Sequence, residues 1–248
     1  MHASSASSAS SAPPSSSSSV AAASETPPRN PFGQNLAASR PRKSPQVVQV
    51  CCIADATGSS EPFARGTEQI LQALAAELPQ RIAQVRFGLV ASRDQDCGER
   101  DEQLLTEGDA AAMREAIGRI RYIGGDDPDE THFWSVADAL NTYPWEEGPM
   151  RRKAIVLLGS SHSKPLPGMT LDQLVLALAG RRITVFVVCP REANLKQLAE
   201  LTDGLYFELS NEPSPEEVRR LTQRLTASMT QTLSGAAVGT PSAEPMRL

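Results

Sequence analysis

Three oxygen-bearing side chains occupy alternate positions immediately after an apolar run. The run VVQVCCIA, residues 47–54, leads directly into Asp55, Thr57 and Ser59. A hard divalent cation such as Mg²⁺ prefers oxygen ligands in an octahedron. A carboxylate followed by hydroxyls at the second and fourth positions offers three oxygens from one turn, and Gly58 permits the tight backbone that this requires. The spacing therefore indicates a site for Mg²⁺ or Mn²⁺.

The elements around this segment alternate between strand and helix. Apolar runs of strand length alternate with amphipathic segments, which is typical of a mostly parallel sheet with helices on both faces. We therefore predict an α/β, Rossmann-like fold, and in such a sheet ligands bind beyond the carboxyl ends of the strands, where Asp55 falls. The predicted strands are 47–54, 84–92, 102–106, 153–159, 183–189 and 205–209, and the predicted helices are 61–78, 108–120, 130–141, 170–180, 194–201 and 215–232.

Composition divides the 248 residues into three parts. Residues 1–44 are rich in Ser, Ala and Pro and predict a disordered tail, residues 45–233 one domain, and residues 234–248 a flexible C-terminal tail. The first 44 residues carry a net charge of +3, so the overall −5 leaves −8 for the remainder. An acidic domain without a basic stripe disfavours nucleic acid as a partner.

No apolar stretch approaches the roughly 18 to 20 residues that a membrane-spanning helix needs, and the N-terminus lacks the pattern of a secretory signal peptide. We expect no membrane association and a cytoplasmic location, with export by a route independent of a signal peptide as the alternative. The four Cys have no zinc-site spacing.

Several segments together resemble the von Willebrand factor A family. D-x-T-x-S after the first strand is similar to that family's metal-ion-dependent adhesion site. The segments FGLVASRDQD (87–96), GGDDPDETHFWSVADAL (124–140) and LAELTDGLYFEL (198–209) resemble the A domains associated with α-kinases and with bacterial serine/threonine kinases. The resemblance covers residues 47–225.

The resemblance implies metal ligands from three loops. Asp55, Thr57 and Ser59 match the first loop, and Asp126 matches the second, with Asp127 beside it. The third loop of the family usually supplies an Asp, but this chain has Ser160 there. A neutral hydroxyl binds Mg²⁺ less well than a carboxylate does, so Asp126 would have to supply the missing charge. Asp94, Asp127 and Ser160 are then expected at the rim of the site.

The resemblance implies a protein–protein interaction domain in which a partner's Asp or Glu completes the metal coordination. Three alternatives remain open. The domain could bind without metal as part of a kinase or secretion assembly, Asp55 could merely cap the first helix, or the site could be a metal-dependent phosphohydrolase. The chain has no phosphate-binding G-x-x-x-x-G-K-[ST], no G-x-G-x-x-G and no G-x-S-x-G, so we expect no enzyme activity and no catalytic residue.

Overall fold

The computed structural model describes residues 47–125 and 129–234. The tail predicted for residues 1–44 lies outside these ranges, as does all of the predicted C-terminal tail except its first residue. Asp126 and Asp127 also lie outside the described residues. The predicted domain is otherwise described almost from end to end.

The domain is built on one six-stranded sheet in which five strands are parallel and the edge strand β3 is antiparallel. The strand order is β3-β2-β1-β4-β5-β6. Every residue of β1 is buried, because this central strand is covered on both faces. The α/β, Rossmann-like class predicted from the sequence is confirmed. The strands are β1 (Val47–Asp55), β2 (Gln84–Ser92), β3 (Glu102–Gly108), β4 (Arg151–Leu158), β5 (Ile183–Cys189) and β6 (Tyr206–Glu208).

Six α-helices cover the two faces of this sheet within the described ranges. They are α1 (Ala64–Arg81), α2 (Ala110–Ile117), α3 (His132–Thr142), α4 (Leu171–Gly180), α5 (Ala193–Leu201) and α6 (Pro215–Leu233). Buried side chains of α1, α2 and α6 form one core with one face of the sheet, and those of α3, α4 and α5 form a second core with the other face. The adjacent Cys51 and Cys52 belong to different cores, as alternation along a strand requires.

Helix boundaries differ from the predictions by more than one residue in three helices, α1, α2 (Ala110–Ile117 instead of 108–120) and α3. A 3₁₀ turn (Gly58–Phe63) precedes α1, and α1 continues through Pro79 to Arg81, because the Ile82 N–H closes the last turn on the Leu78 carbonyl at 2.9 Å. α4 ends at Gly180, the last residue of the predicted helix. The cap is Arg181, and Arg182 takes the positive φ of 55°.

The third difference concerns Glu130, which was predicted to begin α3. The helix begins at His132, because the main chain of Glu130 pairs with the loop after β4 instead. Its N–H donates to the His162 carbonyl at 2.9 Å, and its carbonyl accepts from the Lys164 N–H at 2.7 Å. This short parallel bridge turns Glu130 out of the helical path.

Among residues 47–125 and 129–234, none of the helices combines the length and the apolar character needed to cross a bilayer.

Candidate metal centre

The predicted first loop lies where the strand order reverses. After β1 the chain moves outward to β2 and β3, then returns to place β4 on the other side of β1. Asp55 ends β1, and Ser160 follows the end of β4 by two residues. This point, beyond the carboxyl ends of two neighbouring parallel strands, is the usual ligand-binding crevice of open α/β sheets.

Asp55 is 3% exposed and both of its carboxylate oxygens are engaged. Oδ1 accepts from the Thr57 backbone N–H at 3.1 Å and lies 2.7 Å from Thr57 Oγ1. Oδ2 accepts from the Ser160 N–H at 3.2 Å and from the Ser160 hydroxyl. The hydrogen bond to the N–H two residues on is a local turn, and α1 begins nine residues later with Phe63 as its N-cap, so the helix-cap alternative is wrong.

Ser160 hydrogen-bonds to Asp55, which is not the role of metal ligand that the family's third-loop residue has. Its N–H and its hydroxyl both donate to Asp55, so it orients the carboxylate of the first loop. Ser160 itself is half-buried.

Thr57 and Ser59 meet a carboxylate that the sequence analysis did not place in the site. The two hydroxyl oxygens lie 3.0 Å apart. Oε1 of Glu130 lies 2.9 Å from Thr57 Oγ1 and 2.8 Å from Ser59 Oγ. Thr57 and Glu130 are each 1% exposed, whereas Ser59 is exposed and opens the cluster to solvent.

These oxygens make more short contacts than their hydrogen atoms can support. Thr57 Oγ1 is within hydrogen-bond distance of Asp55, Ser59 and Glu130, and Ser59 Oγ also reaches Glu130, which makes four contacts. Thr57 and Ser59 each bring one hydroxyl proton and a protonated Glu130 brings a third, so the four contacts share at most three protons. The cluster of Asp55, Thr57, Ser59 and Glu130, hereafter the oxygen cluster, is short of positive charge.

The pKa shifts of Glu130 and His132 also indicate that the negative charge of the oxygen cluster is not compensated. Burial, and next the charge of Asp55, raises the pKa of Glu130 to about 7. His132 Nε2 lies 3.8 Å from Asp55 Oδ2, but the imidazole is fully buried and burial lowers its pKa. Neither ring nitrogen of His132 has a hydrogen-bond partner among the described residues. A neutral imidazole leaves the negative charge of the oxygen cluster uncompensated.

The loops that carry the oxygen cluster are fixed by backbone contacts. Gly58 N–H donates to the Gly124 carbonyl at 2.9 Å, and a Cβ on Gly58 would lie 2.9 Å from that same oxygen. Gly124 and Gly125 have φ of 77° and 76°, which only glycine adopts readily. The guanidinium of the buried Arg93 donates to three carbonyls, those of Ala56, Arg121 and Ile123.

Asp94, the other predicted rim residue, belongs to a separate ionic group. It is fully buried, and Lys164 Nζ lies 3.4 Å from it and 2.7 Å from Asp96. Cys97 Sγ donates to Asp94 at 3.0 Å. Carboxylate and thiol atoms of Asp94, Asp96 and Cys97 lie within 4.8 Å of one another, and the Lys164 ammonium already pairs with both carboxylates.

An apolar cavity of about 310 Å³ lies beside the third loop. Ser163, which forms the bridge with Glu130, is part of its wall, together with Phe133, Leu166 and Met169. The indole of the nearby Trp134 donates to the Pro165 carbonyl at 3.2 Å. Ser163 therefore belongs both to the cavity wall and to the loop that is bridged to Glu130.

No protein-family model matches this chain, and no curated protein matches it.

Proposed function

We propose that this chain is a domain of the von Willebrand factor A type that recognises another protein through Mg²⁺ or Mn²⁺ held at the oxygen cluster. The observation that supports the proposal is the convergence of Asp55, Thr57, Ser59 and Glu130 at the sheet's switch point, open to solvent through Ser59. The strand order and the D-x-T-x-S segment are both consistent with that family.

The residues present fit a small divalent cation. All four side chains offer oxygen, the ligand atom that Mg²⁺ prefers. The oxygen cluster has at most three protons for four short contacts, so a cation would satisfy oxygen atoms that hydrogen bonds cannot. Asp55 and Glu130 supply the negative charge that the third loop lacks, because that loop has Ser160 where the family usually has an Asp.

Each residue has a definite part in such a site. Thr57, Ser59 and Glu130 would hold the ion, and Asp55 would orient Thr57 and add charge from behind. Ser160 and His132 flank Asp55 and limit its movement. When bound, the ion would supply an electrophilic position for a partner's Asp or Glu carboxylate, with the surrounding loops giving specificity. In this proposal the site binds and does not catalyse.

A second candidate uses the same edge of the domain without metal. The apolar cavity beside the third loop favours it, because its lining by Phe133, Leu166 and Met169 could receive a partner's apolar side chain directly. This candidate predicts binding that chelators do not affect.

Calorimetric titration of the full chain with Mg²⁺ and Mn²⁺ tests the first candidate. We expect saturable binding that Asp55→Ala abolishes and that Asp172→Ala, an exposed carboxylate in the first turn of α4, leaves unchanged. Equal binding by wild type and Asp55→Ala would refute the proposed site.

Selection of peptides from a displayed library, run in Mg²⁺ and again in EDTA, tests recognition. We expect Mg²⁺-dependent peptides that carry Asp or Glu and lose binding when that residue is changed to Asn or Gln. Peptides that bind equally in EDTA would favour the metal-independent candidate.

A further inference from the structure

We propose that the amino-terminal edge of the sheet, opposite the oxygen cluster, has a pocket that binds a phosphate group in place of the Glu147 carboxylate. The pocket is built around Lys153 near the start of β4, and it is called the basic pocket below. Its cationic lining consists of Arg151, Arg152, Lys153, Arg181 and Arg182. The proposal goes beyond the proposed function, because it concerns a different edge of the domain and a different ligand.

The basic pocket consists of two adjoining cavities. One, of about 410 Å³, lies between the loop before β4 and the end of α4. The other, of about 350 Å³, lies between the starts of β4 and β5 and the end of α5. Lys153 and Arg182 line both cavities. The only acidic side chains in the lining are Glu147 and Asp203, so positive charge is in excess there, although the domain as a whole is acidic.

Lys153 is the buried centre of the basic pocket. It lies on the face of the sheet that bears Ile155 and Leu157 of the second core, so its stem extends that core. Its side chain is 3% exposed, and its ammonium donates to Glu147, whose side chain is 75% exposed. Within residues 47–125 and 129–234, Glu147 is the one acceptor of this ammonium. A buried ammonium has three N–H groups to satisfy, and one exposed carboxylate leaves that requirement unmet.

The arginines around Lys153 have donors to spare. The guanidinium groups of Arg152 and Arg182 are exposed and make no hydrogen bond or ion pair in the part of the chain that the structure describes. Arg151 pairs with Glu146 at 2.8 Å, and Arg181 donates to a main-chain carbonyl at the end of α3. A guanidinium offers parallel N–H groups that match the oxygens of a phosphate. Two such groups beside a buried ammonium are the donors that a phosphate group needs.

The backbone of the basic pocket is also unusual. Arg182 has a φ of 55°, at a position after a helix where glycine is favoured. Asp203 (57°) is the other residue besides glycine that has a positive φ among those described, and it lines the same cavity. Unfavourable backbone conformations of this kind cluster at functional sites. Cations at the end of α4 also complement its helix dipole, but that does not account for the three cations on β4.

Glu147 indicates where the anion would lie. Lys153, and then Arg181 and Arg182, lower the pKa of Glu147, so three cations act on the position of this carboxylate. The side chain is exposed and precedes Gly148, so it can swing away without disturbing either core. A carboxylate brings one negative charge, whereas a phosphate monoester brings about −1.5 to −2 at pH 7 and three strong acceptor oxygens. A phosphate group therefore neutralises the basic pocket better than Glu147 does.

Titration of the isotope-labelled full chain with inorganic phosphate, followed by its amide NMR resonances, tests the proposal. Sodium chloride holds the ionic strength constant, and EDTA keeps metal ions from the oxygen cluster. We expect saturable shifts confined to residues 147–153 and 180–184. Lys153→Met should weaken binding by about tenfold or more, because it removes a charged hydrogen bond. Glu147→Gln should strengthen binding by about threefold or more, because the internal carboxylate no longer competes.

The ion pair between Lys196 and Glu200 of α5 supplies the matched controls. Both side chains are exposed, and the pair lies outside the lining of the basic pocket. Lys196→Met and Glu200→Gln make the same changes in net charge and should leave phosphate affinity unchanged. If Glu200→Gln strengthens binding as much as Glu147→Gln does, the effect comes from net charge and the proposal is wrong.

Arg182→Gly separates binding from folding, because the two effects have opposite signs. Without phosphate this variant should melt at a higher temperature than wild type, since glycine favours the positive φ. It should also bind phosphate more weakly, since it removes a guanidinium from the lining. Phosphate affinity equal to that of wild type in both Arg182→Gly and Lys153→Met would overturn the proposal, as would the lack of any saturable shift in wild type.

A peptide that carries phosphoserine, compared with the same peptide carrying Ser, identifies the source of the phosphate group. Tighter binding of the phosphopeptide than of inorganic phosphate would support the pocket and assign it to a phosphorylated protein segment. Tighter binding of inorganic phosphate would support the pocket and assign it to the free ion. Equal binding of the two peptides, together with no response to inorganic phosphate, would refute it.

Discussion

Replacement of Arg93 by Met tests whether one buried guanidinium holds the loops of the oxygen cluster together. Arg93 Nη1 donates to the carbonyls of Ala56, Arg121 (2.7 Å) and Ile123 (3.1 Å). Its side chain is 7% exposed, and Nη2 lies 3.5 Å from Glu102. Met retains most of the apolar stem and removes every one of these hydrogen bonds.

The expected cost follows from the carbonyls left without a donor. Ala56 O keeps the Ile123 N–H at 3.0 Å, so the carbonyls of Arg121 and Ile123 are the ones affected. An unsatisfied buried acceptor costs about 1 to 3 kcal/mol. Ile123 is 61% exposed and Arg121 is exposed too, so water can replace part of the loss at both carbonyls. We therefore expect the free energy of unfolding to fall by about 2 to 4 kcal/mol.

Urea denaturation of the full chain measures this change. With an m-value of about 2 to 3 kcal/mol/M, the midpoint should fall by about 1 M at constant m. Arg65→Met in α1, where the side chain is exposed, is the control and should change stability by no more than about 0.5 kcal/mol. If Arg93→Met and the control have equal midpoints, the carbonyl contacts do not stabilise the loops and the reasoning is wrong.

Three further predictions concern the same edge of the sheet. Gly58→Ala should cost about 1 to 3 kcal/mol in urea denaturation, because its Cβ would lie 2.9 Å from the Gly124 carbonyl oxygen. Gly159→Ala should also destabilise, since its Cβ would lie 2.9 Å from His132 Nε2, and adding His132→Ala should recover part of the loss in a double-mutant cycle. In EDTA, stability should fall by about 1 to 3 kcal/mol as pH rises from about 4.5 to 7 and then level off, because folding raises the pKa of Glu130 from 4.5 to about 7 and the native state keeps its proton through that window. Glu130→Gln should lack this component of the pH profile, and a profile identical to that of wild type would contradict the assignment.

The sheet was predictable because its strands are short apolar runs with little competing signal. ITVFVVC was predicted and found with the same bounds, as β5. The helix predicted over 108–120 is found as α2, which Asp109 caps by accepting from the backbone N–H groups of Ala111 and Ala112. Such features are local, so residue type and spacing were sufficient to find them. The start of α3 could not be predicted in this way, because Glu130 is held outside the helix by pairing with residues more than 30 positions away.

The oxygen cluster shows the same division between local and distant information. Asp55, Thr57 and Ser59 share one turn, and their spacing placed them together. Glu130 is separated from Ser59 by 71 positions, and nothing in its own neighbourhood distinguishes it from the other acidic residues of 126–130. Likewise, Asp94 pairs with Lys164 of the third loop, 70 positions away, whereas its neighbour Arg93 binds carbonyls.

In the proposed site, Glu130 would also link metal binding to the conformation of the third loop. Its carboxylate contacts the first loop, and its main chain is paired with His162 and Lys164 in the third loop. Lys164 in turn neutralises Asp94. Because one residue joins both loops, loss of the ion would leave a buried carboxylate to be relieved either by a proton or by movement of Glu130. Movement would carry the third loop with it, including Ser163 in the wall of the apolar cavity. Amide hydrogen exchange at residues 160–166 should therefore slow when Mg²⁺ is added to wild type, and it should not change in Glu130→Gln. If wild type binds Mg²⁺ and its amide exchange at residues 160–166 stays the same, the conformation of the third loop does not depend on the ion.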